Sequence, residues 1–130
     1  MGELLEIKCE KCGKTAELRV GYGLMHGRLE NVTTLFPDRI RSRLPLKEMQ
    51  SFEIPWSFRF VPAVCGTCRS FVAVPSISLK ASGKPSESFP GVCPDCGGDV
   101  VPLEPEGIEA QPCPSCGQAG CSVRETGMWD

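Results

Sequence analysis

Residues 93–117 run from Cys93-Pro94-Asp95-Cys96-Gly97 to Cys113-Pro114-Ser115-Cys116-Gly117, and this stretch sets how the chain folds. Two cysteines separated by two residues let one tight turn aim both sulfurs at a single ion. A glycine directly after the second cysteine permits the left-handed backbone that such a turn needs. The same spacing occurs twice more, at Cys9-Glu10-Lys11-Cys12-Gly13 and Cys65-Gly66-Thr67-Cys68-Arg69. Arg69 breaks the glycine pattern, although Gly66 gives that loop some freedom. Four such knuckles in a short chain read as two metal sites of four thiolates each.

The spacing leaves the pairing of knuckles open. Sixteen residues separate Cys96 from Cys113, within the usual interval of about 15–20 for one four-cysteine site. That favours Cys93, Cys96, Cys113 and Cys116 as one site, and by elimination Cys9, Cys12, Cys65 and Cys68 as the other. An interleaved arrangement, first knuckle with third and second with fourth, is the alternative.

Composition explains why metal is needed. The 130 residues are 41% hydrophobic, with 12 Pro, 14 Gly, two Trp and one Tyr. Such a chain is expected to build only a small apolar core, which metals or disulfides must supplement. The cysteine count of nine is odd, and eight sit in knuckles, which suits metal better than a disulfide network. The N-terminal MGELLEIKCEK has no apolar run of signal-peptide length, so a reducing, cytoplasmic setting is expected. No stretch of 18 apolar residues suggests a membrane span.

Around the knuckles, residues 4–8, 15–20, 58–61 and 71–74 carry strand patterns, which places the first two knuckles at hairpin tips. Residues 99–103 and 121–124 read as strands after the third and fourth knuckles. Val32, Leu35, Ile40 and Leu44 recur at near-helical spacing, with Asn31 as a candidate N-cap, Pro37 as a first helical residue and Pro45 as a limit. The Ser/Gly/Pro-rich segment 80–91 reads as a linker. The expected fold is small, metal-stabilised and mainly β, with a short α insertion at about 28–50. Its expected organisation is one lobe over 1–79, a linker over 80–91 and a small lobe over 92–130.

These knuckles resemble those of the zinc-ribbon and rubredoxin-like families, closely over residues 93–117 and more loosely over 4–20 with 58–74. The resemblance implies two tandem ribbon-like lobes holding two Zn²⁺, with iron as the other ion that four thiolates accept. It further implies a structural metal that presents a surface to a protein or nucleic acid, or, in the iron case, an electron carrier.

Charge narrows the partners. The formal net charge is −2. Residues 13–64 hold eight basic against five acidic residues, and residues 81–130 hold two against eight. This balance disfavours a dedicated nucleic-acid binder. A local contact through Arg39, Arg41, Arg43 and Lys47 stays open, whether to nucleic acid or to an acidic protein. Four thiolates leave no coordination position for a catalytic water. The single histidine, His26, stands in no nucleophile motif and reads as a solvent-facing loop residue. Val20-Gly21-Tyr22-Gly23 reads as a strand end entering a turn. Cys121 is either a reactive or substitute thiol, or a small buried residue opening the last strand. Trp129 either anchors a partner or packs back on the fold. The expected function is a non-catalytic, protein-binding adaptor, with a redox thiol switch or rubredoxin-like carrier as the alternative.

Overall fold

A computed structural model describes residues 2–80 and 83–130. The chain forms β1 (Gly2–Cys9), β2 (Thr15–Gly21), α1 (Leu29–Thr33), α2 (Asp38–Arg41), α3 (Leu46–Gln50), β3 (Trp56–Cys65), β4 (Ser70–Leu79), β5 (Glu87–Pro90), β6 (Val100–Pro102) and β7 (Cys121–Trp129). Short 3-10 turns lie at Leu24–Gly27 and Pro105–Gly107. The strand patterns around all four knuckles therefore emerge as strands, and the insertion as three short helices. Asn31 lies inside α1 rather than capping it, and Pro37 takes the cap position of α2. Pro45 stands at the cap of α3, so it opens a helix as well as ending the preceding segment.

All strands belong to one antiparallel sheet, ordered β5-β4-β3-β2-β1-β7, with β6 added to β3. The join between β2 and β3 is a single residue pair, Gly21 with Phe60, whereas β3 and β4 pair along their full length. The expected division into tandem lobes at residues 80–91 has no counterpart in this pairing. β6 lies on β3 and β7 lies on β1, so strands from beyond residue 92 are hydrogen-bonded to strands from before residue 79.

Apolar burial also exceeds what composition suggested. Val32, Phe36, Ile40, Leu44 and Met49 from the helical insertion pack on Phe58, Ile77, Leu79 and Phe89, a cluster with no cysteine in it. At the other end Leu5, Ile7, Leu18, Val20, Phe71 and Ile108 pack around Cys9, Cys113 and Cys121. The helices thus form their own core on the β3–β4–β5 end of the sheet. The metal-site cysteines of knuckles one and four are built into the β1–β2–β7 end.

Trp129 packs back onto the fold. Its indole Nε1 donates to the Val20 carbonyl at 3.0 Å, and the Arg19 guanidinium lies 4.5 Å from the ring centroid. Gly2 makes room for the indole, because a Cβ there would run into the Trp129 ring. We predict that Trp129→Ala lowers stability by about 2 kcal/mol, from lost packing and one lost hydrogen bond. Denaturant unfolding checks this, and an unchanged midpoint would refute it.

Candidate metal centre

Each knuckle is a turn closed by its own backbone. In three of them the glycine after the second cysteine donates to the carbonyl of the first: Gly13 to Cys9 (2.8 Å), Gly97 to Cys93 (2.9 Å) and Gly117 to Cys113 (2.7 Å). These glycines have φ of 76°, 73° and 76°. Arg69 takes the same left-handed conformation, at φ 53°, without glycine's freedom. The turn geometry is therefore shared, and at the second knuckle an L side chain bears its strain.

The knuckles meet in a nested order. The first pairs with the fourth and the second with the third, giving the groups Cys9, Cys12, Cys113, Cys116 and Cys65, Cys68, Cys93, Cys96. The ligating sulfurs in each group all lie within 4.8 Å of one another. All eight expected cysteines are thus brought into four-sulfur groups. However, neither the sequential pairing favoured from the 16-residue spacing nor the interleaved alternative is what forms.

The strands downstream of the two Cys-Pro-x-Cys-Gly knuckles explain the nesting. Once past the third knuckle, the chain enters β6 and pairs onto β3, setting Val100 opposite Cys65. After the fourth it enters β7 and pairs onto β1, setting Cys121 opposite Cys9. Each site is therefore one construction used twice: a hairpin tip, a proline knuckle, and a strand laid against the hairpin's first strand. Supporting bonds run from Glu10 N to Gly120 O at 3.1 Å at the outer site, and from Leu103 N to Pro62 O at 2.8 Å near the inner one.

The sulfur geometry fits a tetrahedral ion. Facing sulfurs stand 3.6 Å (Cys9–Cys116), 3.8 Å (Cys12–Cys113), 3.6 Å (Cys65–Cys96) and 3.9 Å (Cys68–Cys93) apart. A tetrahedron with metal–sulfur bonds of about 2.3 Å has edges of about 3.8 Å. A disulfide would need about 2.0 Å. In each group two cysteines are buried, Cys9 with Cys113 and Cys65 with Cys93. Cys12, Cys96 and Cys116 are exposed and Cys68 is half-buried.

The thiols are electrostatically prepared for a cation. The backbone N–H of Cys12 is 3.5 Å from the Cys9 sulfur and holds its pKa down at about 6. The N–H of Cys68, 3.4 Å from the Cys65 sulfur, holds that thiol at about 7. Their neighbours move the other way. Hydrogen bonding to the Cys96 sulfur, with burial, pushes Cys68 up to about 12. At Cys116 the Gln118 amide pulls downward, but local exclusion of water around the sulfur and the sulfurs of Cys9 and Cys113 carry it to about 12. Clustered thiols cannot all ionise side by side, and a bound divalent ion removes that conflict.

Cys121 is buried, and burial raises its pKa to about 11, with Cys113 and Cys9 as the nearest charges. It is a fifth sulfur beside the outer site, and its counterpart at the inner site is Val100. His26 is not a simple solvent-facing residue. Its Nδ1 accepts a hydrogen bond from Gly23 N at 2.7 Å, and its ring packs against Phe58, Phe60 and Trp129 at 4.7, 5.4 and 5.9 Å. Gly21 ends β2, and Tyr22 and Gly23 form the turn that leaves it. The basic cluster is largely engaged: Arg39 pairs with Asp99 at 3.1 Å, Arg41 pairs with Asp38, and Arg43 lies over the Phe89 ring at 5.5 Å. Lys47 sits in α3. Sequence reasoning misses Phe52 and Trp56, which belong to no motif. The signal that marks Phe52 is conformational, since it holds φ at 61°.

No helix among the described residues is long and apolar enough to cross a membrane. Comparison with models of known families, with curated proteins and with solved structures finds no match for this chain. What the residues establish is a mainly β protein with two four-cysteine groups able to hold metal ions.

Nested pairing makes a prediction that ligand counting checks. A Cys9→Ser/Cys116→Ser double variant removes two ligands from one site, and purified protein should retain one metal equivalent. Cys9→Ser/Cys96→Ser damages both sites and should retain none. Equal metal content in the two variants would rule the pairing out. Chelation of the native protein should abolish hydrogen-exchange protection in β6 and β7. The helical cluster on β3 and β4, which contains no ligand, should stay protected for longer. Arg69→Gly should raise stability by about 1 kcal/mol, by releasing the left-handed strain, as read from denaturant midpoints.

Proposed function

We propose that this protein is a non-catalytic adaptor whose two four-thiolate sites hold zinc as scaffold while its surface binds another protein. One observation carries the reading: both sites are closed. Four sulfurs at tetrahedral spacing occupy every position of a zinc ion, so the metal has no vacancy at which to polarise a substrate or activate water. Zinc bound this way contributes about 10–16 kcal/mol per site at neutral pH, comparable with the whole stability of a small domain.

Asp99 and Asp38 pair with Arg39 and Arg41, and the formal net charge is −2, which speaks against a dedicated nucleic-acid binder. The alternative that a specific observation favours is a thiol switch. Cys121 stands opposite Cys9 on paired strands and gives the outer site a spare sulfur that the inner site lacks. An iron-loaded electron carrier is the remaining contrast.

Elemental analysis with an absorption spectrum of native protein, prepared reduced and without chelator, tests the scaffold reading. The expected result is colourless protein with two zinc ions per chain. Iron with strong visible absorption would replace the reading with electron transfer, and protein that is folded but metal-free would end it. Chelated protein should also lose any partner that the native protein retains.

A further inference from the structure

The two four-cysteine groups are built alike but are not equivalent. At the inner site the strand laid against the hairpin places Val100 opposite Cys65, and at the outer site it places Cys121 opposite Cys9. The outer site therefore has a fifth sulfur on the residue directly across from one of its ligands. Cys9 and Cys121 are buried in the same apolar cluster, at 2% and 6% exposure, so their side chains share one face of the sheet.

The hydrogen-bond ladder sets how close the two residues stand. Cys9 donates its N–H away from β7, to the Lys14 carbonyl at 3.0 Å, and the neighbouring rung toward β7 is Glu10 N to Gly120 O at 3.1 Å. Cys9 and Cys121 are thus a non-hydrogen-bonded antiparallel pair, the closer of the two kinds, which holds Cα atoms about 4.5 Å apart. A disulfide spans Cα separations of about 4.4–6.8 Å, so this pair can be bridged with little movement of the backbone. Cys65, the corresponding ligand of the inner site, faces Ser70 and Val100 instead.

A small cavity joins the pair to the surface. Its volume is about 60 Å³, and it is lined by buried Cys9, Cys113 and Cys121 together with exposed Lys14, Arg69 and Ser115. A water molecule needs about 10–15 Å³ on that measure, so the space admits a peroxide but not a bulky thiol.

We propose that Cys9 and Cys121 form a reversible disulfide, made by a small peroxide, that takes Cys9 out of the outer metal site and leaves the inner site intact. The Cys9 thiolate attacks one peroxide oxygen, the O–O bond breaks and hydroxide leaves, giving a sulfenic acid. The Cys121 sulfur then attacks the Cys9 sulfur. The S–S bond forms as the S–O bond breaks, and the Cys121 proton departs with the hydroxyl as water. Two electrons pass from the sulfurs to the peroxide, and a dithiol reductant reverses the change. Cys12, Cys113 and Cys116 stay behind, one sulfur short of a tetrahedral set. β7 remains tied to β1, now by a covalent bond. The inference rests on the scaffold reading of the two sites and gives the outer one a means of regulation.

The test treats native protein of measured metal content with increasing hydrogen peroxide and follows released metal and disulfides together. One of the two metal equivalents should leave before the other, in step with a single Cys9–Cys121 disulfide. Trypsin cuts after Lys8 and Lys11 and so separates Cys9 from Cys12, and fragmentation between Cys116 and Cys121 locates the other partner. Dithiothreitol with added zinc should restore the lost equivalent. Amide exchange distinguishes this state from a chelated one: β7 should stay protected while the knuckle at 113–117 loses protection. Cys121→Val gives the outer site the residue of the inner one, and should abolish the early loss so that both metals leave at the same dose. Cys121→Ser, which keeps the size of the side chain, should do the same.

Simultaneous release of both metals from the native protein would overturn the proposal. So would a disulfide from Cys9 to Cys12 or Cys116, or from Cys113 to Cys121, and so would early release that persists in both Cys121 variants. Metal content before oxidation separates the two ideas. Protein that starts with two ions and shows no stepwise loss would refute only the switch. Protein that starts without metal would refute the scaffold reading, and the disulfide map would then decide the cysteine pair on its own.

Discussion

The gathering of four cysteine sulfurs in one small volume, twice over, is the constraint on which this structure depends. Cys9, Cys12, Cys113 and Cys116 come from opposite ends of the chain and place their sulfurs within 4.8 Å of one another. Without a cation that arrangement cannot be fully ionised, and the divergent pKa values of Cys9 and Cys116 express the conflict. With a divalent ion the same arrangement becomes a strong crosslink between distant segments. A bound ion would therefore act as the tertiary contact that ties β1 and β2 to the knuckle preceding β7.

Nesting has a mechanical consequence. The inner site closes a short loop, from the β3–β4 hairpin to the following knuckle, and the outer site closes nearly the whole chain. Longer loops lose more entropy on closure, so the outer crosslink constrains the unfolded chain more. The apolar cores follow the same division. One surrounds the outer cysteines, and another lies under the helices and contains no ligand. Apolar packing thus runs through the whole sheet, and only the helical end lacks cysteines that could hold metal.

Much of this was legible from residue order. The eight ligands follow from their spacing, because only a two-residue gap lets a single turn point two sulfurs at one ion. Three of the four left-handed turn positions follow from Gly13, Gly97 and Gly117. Strands flanking the knuckles follow from alternation in segments such as Thr15–Val20. The size of the helical core was underestimated, because Val32, Phe36, Ile40 and Met49 are spread over separate short helices and form one surface only after folding. Phe52 was invisible for a related reason: a positive φ at an aromatic residue breaks the local preference that sequence reading relies on.

Sequence alone determined which atoms can bind metal and which turns present them, since both depend on residues a few positions apart. It could not determine which turns share an ion. All four knuckles are chemically equivalent, and spacing along the chain favoured the neighbouring pair. The choice was made by strand pairing at long range, three residue pairs of β6 on β3 and eight of β7 on β1, which carry the third knuckle to the second and the fourth to the first. Tertiary structure likewise decided that Trp129 packs inward on Val20 and Gly2, and that the exposed apolar surface lies at Leu24 and Phe52.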